Sequence, residues 1–256
     1  MTTYTREFIP CRKCKQKEGS RIPTGYYLDP NVKEGIIECV HHIEWKNFNS
    51  SLNKYIKNGF REDLFFLDYP DGYVGEKSRD NVIRLKNFIN KFIEGTEVRK
   101  ASLYFHGPQG CQKTLTAGWI AAELTRAGFD CRFIHMHKLV SVLWDSQRSD
   151  LDRDLMERLS NSDLLVIDES FDKDKVGMWA SGKQLSHLDL FIRNRERKRA
   201  TIYISNIGVD KIDEKLFGVS LKDLLTRVTT TYFDHSFEFL DNYKDLTHDI
   251  PKEKLF

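Results

Sequence analysis

Eight residues, Gly107-Pro108-Gln109-Gly110-Cys111-Gln112-Lys113-Thr114, have the spacing of a phosphate-binding loop. They follow an apolar run, Ala101 to His106, and lead through Leu115 into a helical pattern that extends to Arg126. A loop between strand and helix points its backbone N–H groups inward at phosphate oxygens, and the helix N-terminus adds the positive end of its dipole. In such a loop Lys113 reaches the β- and γ-phosphates of ATP, and the Thr114 hydroxyl holds Mg²⁺. Gly107 to Thr114, with Leu115, are therefore the candidate nucleotide-binding residues. One position departs from the pattern G-x-x-x-x-G-K-[ST]: Gln112 stands where the second glycine is usual. Glycine is needed there if φ is positive or if a Cβ would strike the ligand. The expectation is that Gln112 has helical backbone angles and permits ATP binding; other angles would strain the loop.

A second group of residues complements the first. Leu164-Leu165-Val166-Ile167 is a short apolar run that ends in Asp168-Glu169, about 50 residues beyond the loop. An uninterrupted apolar run of this length suits a buried parallel strand. Asp168 at its end would hold Mg²⁺, because that ion takes hard oxygen ligands. Glu169 would orient and deprotonate an attacking water. A third run, Thr201 to Ile204, ends in Ser205-Asn206. An amide at that tip would hydrogen-bond a γ-phosphate or the lytic water.

A different chemistry is encoded at the front. Cys11-Arg12-Lys13-Cys14 is a C-x-x-C pair, and Cys39-Val40-His41-His42 offers a thiolate with imidazoles close behind. Two ligand pairs separated by a spacer build a tetrahedral Zn²⁺ site from a short chain. The ligands would be Cys11, Cys14, Cys39 and His41, with His42 as the alternative. An extended segment places 39 and 41 on one face, whereas a helix places 39 and 42 together. The region has few aliphatic residues, so a metal would supply stability that a small core lacks. Cys111 and Cys131 read as loop and core residues.

The remaining composition is that of a globular chain. Of 256 residues, 40% are apolar and 30% charged, and the net charge of +2 gives no global attraction to nucleic acid. No apolar run approaches the roughly 18–20 residues that span a bilayer. The N-terminus has no apolar signal core, so the expected location is cytoplasmic and no membrane partner is expected. Five cysteines, an odd number, fit reduced thiols or a metal site better than a disulfide framework. Arg193 to Arg199 is the densest basic run, either a contact to a nucleic-acid backbone or a solvated helix end. Trp45, Phe48, Tyr55, Phe60, Phe65 and Phe66 read as packing rather than a base-stacking surface.

These segments must be positioned by alternating strands and helices. A helical pattern begins at Asn81, capped by Ser78 or Asp80. Strands follow at 101–106, 131–136, 164–167 and 201–204, separated by helical segments at 115–126, 139–144, 155–159 and 185–192. Pro70-Asp71-Gly72 marks a turn. Such alternation implies an α/β fold with a parallel sheet covered on both faces. The chain divides into a zinc-binding module over 1–60, a linker over 61–80 and an ATPase domain over 81–256.

The order and spacing of Gly107–Thr114, Leu164–Glu169, Lys198–Asn206, Leu224-Leu225-Thr226-Arg227-Val228 and Asp241-Asn242-Tyr243-Lys244 resemble the AAA+ ATPases of bacterial and phage replicative-helicase loaders, the DnaC/DnaI type, and the related transposition ATPase IstB. The resemblance covers about residues 80–245. It implies a P-loop AAA+ parallel sheet flanked by helices. It implies that Asn206 is a sensor-1 residue, that Arg227 is an arginine finger completing the ATP site of a neighbouring subunit, and that Lys244 occupies a sensor-2 position where arginine is usual. Some loaders carry an N-terminal zinc-binding domain that contacts the helicase. The implied function is ATP-dependent loading of a replicative DNA helicase onto single-stranded DNA, with self-association through shared ATP sites. The rival readings are a transposition ATPase acting on DNA, a metabolic P-loop kinase, and a nucleotide-bound scaffold with little turnover.

Overall fold

The structure is a computed structural model that describes residues 7–16, 20–29, 35–66, 76–95, 97–147, 149–171, 182–196, 198–230 and 236–238. Its centre is a five-stranded parallel sheet built from β3 (Ser102–His106), β4 (Cys131–His135), β5 (Leu164–Asp168), β6 (Ala200–Ile204) and β7 (Ser236–Glu238), in the order β4-β5-β6-β3-β7. Every residue of β5 and β6 is buried, as expected of central parallel strands covered on both faces.

Alternation along the strands divides the interior into two cores. Leu103 and Phe105 of β3, Leu164 and Val166 of β5, and Ile202 and Ile204 of β6 face one core. Tyr104, Leu165, Ile167 and Tyr203 face the other. The first core is completed by α3 (Glu76–Glu94) and α4 (Lys113–Arg126). The second is completed by α5 (Met136–Asp145), α6 (Asp150–Asn161), α7 (Gly182–Arg195) and α9 (Val219–Thr230), with the short α8 (Glu214–Phe217) beside the last. Ser149 caps α6 by accepting from the Asp152 N–H at 3.4 Å. The expected strands and helices are all present. One expectation is corrected: α3 spans Glu76–Glu94, so Ser78 and Asp80 lie inside it rather than at its N-cap. The helix has enough charged residues on one face, and Val82, Leu85, Phe88, Ile89 and Phe92 on the other, to extend a turn further than its apolar stripe alone suggests. The turn at Pro70-Asp71-Gly72 lies outside the described residues.

The front of the chain forms an antiparallel hairpin, β1 (Tyr26–Leu28) with β2 (Ile36–Glu38), followed by α1 (Val40–Lys57) and α2 (Glu62–Phe65). Helix α1 packs on α4. The Tyr55 hydroxyl donates to the Gly118 carbonyl at 2.9 Å. A Cβ on Gly118 would stand 2.6 Å from Leu64 Cδ1 of α2 and 3.2 Å from the Tyr55 hydroxyl, so a larger residue would push Leu64 aside and crowd the crossing. At the end of α1, the Asn58 side chain donates to Asp130 Oδ1 at 2.9 Å and to the Cys131 carbonyl at 2.8 Å, while the Asn58 carbonyl accepts from the Phe133 N–H. Tyr55 stacks on Phe60, and Phe48 meets Phe65 edge-on. Phe48, Tyr55, Phe60, Phe65 and Phe66 therefore pack into the same core as the sheet, whereas Trp45 packs on His42 and Phe8.

The basic run is largely committed to the protein itself. Arg195 is 3% exposed and donates to six acceptors at the starts of β5 and β6 and the end of α6. Arg193 pairs with Asp189 and Arg199 with Asp163. Among the described residues, no helix is long and apolar enough to cross a membrane.

Candidate nucleotide site and metal centre

The loop leaves β3 at Gly107 (φ 140) and turns at Gly110 (φ 85) before α4 begins at Lys113. Gln112 has φ 65 and ψ 16, the left-handed conformation. This overturns the expectation of helical angles. The loop needs a positive φ at that point to aim its N–H groups inward, and Gln112 adopts it although an L-residue there costs about 1–2 kcal/mol. Its carbonyl is held by the Thr116 N–H and the Thr116 hydroxyl, both at 2.9 Å. Its side-chain Nε2 is buried and has no hydrogen-bond partner among the described residues.

Lys113 is 6% exposed, and its ammonium donates to the carbonyls of Gly107 at 2.8 Å and Pro108 at 2.6 Å. Burial pulls its pKa below the usual lysine value, with the nearby Cys111 and Asp168 opposing. The ammonium is thus folded back over the loop, where incoming phosphate charge would replace carbonyl dipoles as its partner. The Thr114 hydroxyl donates to Asp168 Oδ2 at 2.8 Å. Two oxygens from different elements converge where Mg²⁺ needs hard ligands, so the residues present fit that ion. The other carboxylate oxygen, Asp168 Oδ1, accepts from the Glu169 N–H at 2.7 Å, which fixes the orientation of the acid.

Glu169 follows β5 with φ 54, and Phe171 has φ 59. Two bonds stabilise this bent segment: the Ser170 N–H to the Ile204 carbonyl and the Ser170 hydroxyl to the Ile167 carbonyl, both at 2.7 Å. The completely buried Phe171 ring anchors it. The Glu169 carboxylate is half-buried and lies 3.9 Å from His135 Nδ1 and 4.0 Å from His137 Nδ1. The two imidazoles stack on one another with centroids 5.6 Å apart. Sequence reasoning missed both histidines. They meet Glu169 because β4 pairs with β5 in a register that sets His135 opposite Asp168. The available signal was the alternation His135-Met136-His137 at a strand end beside the acidic strand.

Asn206 is exposed at the tip of β6. Because β6 lies between β3 and β5, this tip falls between the phosphate loop and the Asp168–Glu169 end. Ser205 secures it by donating its N–H to the Phe105 carbonyl at 2.8 Å. The backbone of Arg227 lies in α9. The Arg227 side chain, and all of Lys244, lie outside the described residues.

The second constellation stands at the head of α1. Cys11 Sγ is 3.6 Å from Cys14 Sγ and 3.7 Å from Cys39 Sγ, and Cys39 Sγ is 3.4 Å from His41 Nδ1. Tetrahedral zinc with arms of about 2.3 Å places its sulfur ligands about 3.8 Å apart, so the donor set fits that ion. The thiols are poised unequally. Backbone N–H groups of Cys14 and Lys13 draw Cys11 down to about 6. Burial, with the neighbouring thiols, pushes Cys14 up to about 11. The Cys39 thiol raises the pKa of His41. His42 is engaged elsewhere: Nδ1 is 2.7 Å from Glu38, and the ring stacks on Trp45 with centroids 5.5 Å apart. Gly25 makes room for that ring, since a Cβ there would lie 2.6 Å from it. Cys111 and Cys131 are buried apart from this cluster.

With this geometry in place, comparison with known proteins is informative. Residues 103–224, from β3 into α9, match the family described as "ATPase family associated with various cellular activities (AAA)". This segment is an AAA ATPase domain. It holds the phosphate loop, Asp168, Glu169 and Asn206, and it acts on a nucleotide with Mg²⁺. No curated protein matches the chain. Solved structures share the fold of the AAA domain at low identity. DnaI is similar at 16% identity and a TM-score of 0.54, over 70% of this chain and 94% of that one. The DnaC helicase loader is similar at 15% identity and a TM-score of 0.54, over 73% and 98%. A DNA replication initiation factor is similar at 18% identity and a TM-score of 0.52 over 72% of this chain, which spans about half, 52%, of that protein's length.

Proposed function

We propose that this protein is an ATP-dependent helicase loader that binds a replicative DNA helicase and places it on single-stranded DNA. The observation that supports this reading is the union, in one chain, of an AAA ATPase site with a three-thiol front module fastened by α1 to the helix that carries Lys113 and Thr114. The similarity of the fold to the DnaC helicase loader and DnaI, over nearly their whole length, agrees with it.

The residues take the following roles. The N–H groups of 107–115 and the Lys113 ammonium bind the triphosphate. Thr114 and Asp168 hold Mg²⁺, which when bound offsets the charge that develops on the phosphoryl oxygens. Glu169 accepts the proton of the attacking water, and Asn206 positions that water or the γ-phosphate. Arg227 reaches the site of a neighbouring copy, where a planar, permanently charged fork suits phosphoryl oxygens. Lys244 serves near the sensor-2 position. Cys11, Cys14, Cys39 and His41 hold Zn²⁺, which when bound ties the N-terminal turn at Cys11–Cys14 to the head of α1. The module of residues 1–60 contacts the helicase, residues 61–80 join it to the ATPase domain of 81–256, and copies associate through their ATP sites in the cytoplasm.

The test is capture of a hexameric replicative helicase by the intact protein with ATP. The expected result is a complex that weakens when Leu28 and Val40, exposed on the front module, are changed to Asp. No helicase capture, together with nucleotide-dependent filaments on double-stranded DNA, would establish the transposition reading instead. A phosphorylated small molecule as product would establish a kinase.

A further inference from the structure

Gln112 carries two unfavourable features. Its backbone has the left-handed angles that glycine adopts without strain. Its Nε2 is a buried donor with no partner among the described residues, and an unmade buried hydrogen bond is costly. The backbone cannot relax locally, because the Gln112 carbonyl is held by both the N–H and the hydroxyl of Thr116, one turn into α4. The angle is therefore dictated by the start of the helix. Residues that hold such strain collect where a ligand is clamped. The orphan group is a donor, and it belongs to the residue next to Lys113 in a loop whose ligand, a nucleoside triphosphate, presents phosphate oxygens that only accept.

We infer that the Gln112 side-chain amide is a nucleotide ligand, donating from Nε2 to a phosphate oxygen and so recovering in the bound state what it costs in the free one. This rests on the assignment of the ATP site to Lys113, Thr114 and Asp168. It gives the loop a side-chain donor at a position where the usual glycine has none. It also makes the departure from the glycine pattern an adaptation of binding rather than a defect.

The experiment pairs two measurements on the full chain: thermal unfolding without nucleotide, and calorimetric titration with MgADP and with a magnesium complex of a non-hydrolysable ATP analogue. Q112G removes both the strain and the donor. Its free form is expected to melt several degrees higher than the wild type, while its Kd for both nucleotides weakens about tenfold, the worth of a hydrogen bond to a charged group. Q112A keeps the backbone strain and loses the orphan donor; it should weaken binding similarly while gaining less stability than Q112G. Q112E is isosteric but replaces the donor with an anion and should bind at least tenfold more weakly than Q112G. If Q112G binds as tightly as the wild type or more tightly, the side chain is a bystander or an obstruction and the inference falls. Equal binding by Q112E and the wild type overturns it as well. Should the wild type bind no nucleotide, the ATP-site assignment itself falls, and the inference with it. Indifference of the variants in a wild type that does bind overturns the inference alone.

Discussion

Replacing Arg195 with Met tests whether the basic run serves the fold or a ligand. The guanidinium donates to the carbonyls of Leu159 at 2.6 Å, Ser160 at 2.8 Å, Ser162 at 3.2 Å and Ala200 at 2.8 Å, and to the hydroxyls of Ser162 at 3.3 Å and Thr201 at 3.2 Å. Methionine fills most of the volume but supplies no donor. The carbonyls of Ser162 and Ala200 would then lose their charged partner, at about 1–3 kcal/mol each, while the Leu159 carbonyl keeps the Ser162 hydroxyl at 2.9 Å. Relief from burying a charge offsets part of this. The net loss should be about 2–4 kcal/mol, since two neutral carbonyls rather than a charge are left without their partner. Against a typical total of about 5–15 kcal/mol, that would leave a marginal fold. Urea unfolding followed by circular dichroism measures it as a fall in midpoint at unchanged slope. R195K, with three donors on a point charge, should fall between the two. Arg199, paired with Asp163 on a half-exposed surface, gives the contrast: R199A should cost no more than about 1 kcal/mol. If R195M cost less than 1 kcal/mol while affinity for single-stranded DNA collapsed, the structural assignment of Arg195 would be refuted.

Other outcomes follow from the two sites. E169Q should retain ATP binding and lose at least about a hundredfold in turnover, the usual worth of a general base; unchanged turnover would remove Glu169 from that role. T114A should weaken the Mg²⁺ dependence of nucleotide binding, read by titration at varied Mg²⁺, because it removes one of the two converging oxygens. Metal analysis of protein purified without chelator should find one zinc per chain, lost in C14S and H41A but kept in H42A, whose ring is engaged with Glu38 and Trp45; a metal-free wild type refutes the zinc assignment. Alkali should destabilise the fold. Burial raises Cys131 from 9.0 to about 12 and raises Tyr55, Tyr104 and Tyr203 above their ordinary value. A group whose folded pKa is raised stabilises fully below its unfolded pKa, and that stability is lost as pH rises toward the folded value. Urea midpoints should therefore fall from about pH 9 upward. Lys113 and Arg195, both shifted down by burial, oppose this as two groups against those four. A flat profile to pH 11 would contradict it.

Much of the nucleotide site was legible because buried parallel strands are short apolar runs and the chemistry sits at their ends. Asp168, Glu169 and Asn206 each follow such a run, and the sheet order brings all three beside the phosphate loop. The angle at Gln112 was not legible, since it is set by loop closure onto α4 and by Thr116 rather than by the preference of Gln. The histidine pair at Glu169 was hidden for a different reason. Its proximity depends on strand register, which places His135 opposite Asp168 across a separation of 33 residues that no local pattern reports. At the front, the spacing of Cys11, Cys14 and Cys39 anticipated the three-thiol cluster, but the choice between His41 and His42 turned on side-chain direction. Residue 39 is the last extended one before α1, and His42 turns away into a ring cage that includes Phe8, Tyr26 and Trp45.

The packing of α1 on α4 has a mechanical consequence. At 1.5 Å per residue, the 18 residues of α1 form a strut about 27 Å long. One end grows out of the cysteine cluster. Near the other, Tyr55 and Asn58 grip the body of α4 and the start of β4. With Gly118 admitting no gap at the crossing, the strut has little play. A load hung on the cysteine-rich end must tilt it as a lever whose fulcrum lies on the very helix that begins with Lys113 and Thr114. A partner borne on the front module, as proposed, would thus be geared to the nucleotide loop through this rod, and loosening the crossing would uncouple the two while leaving both ends chemically whole.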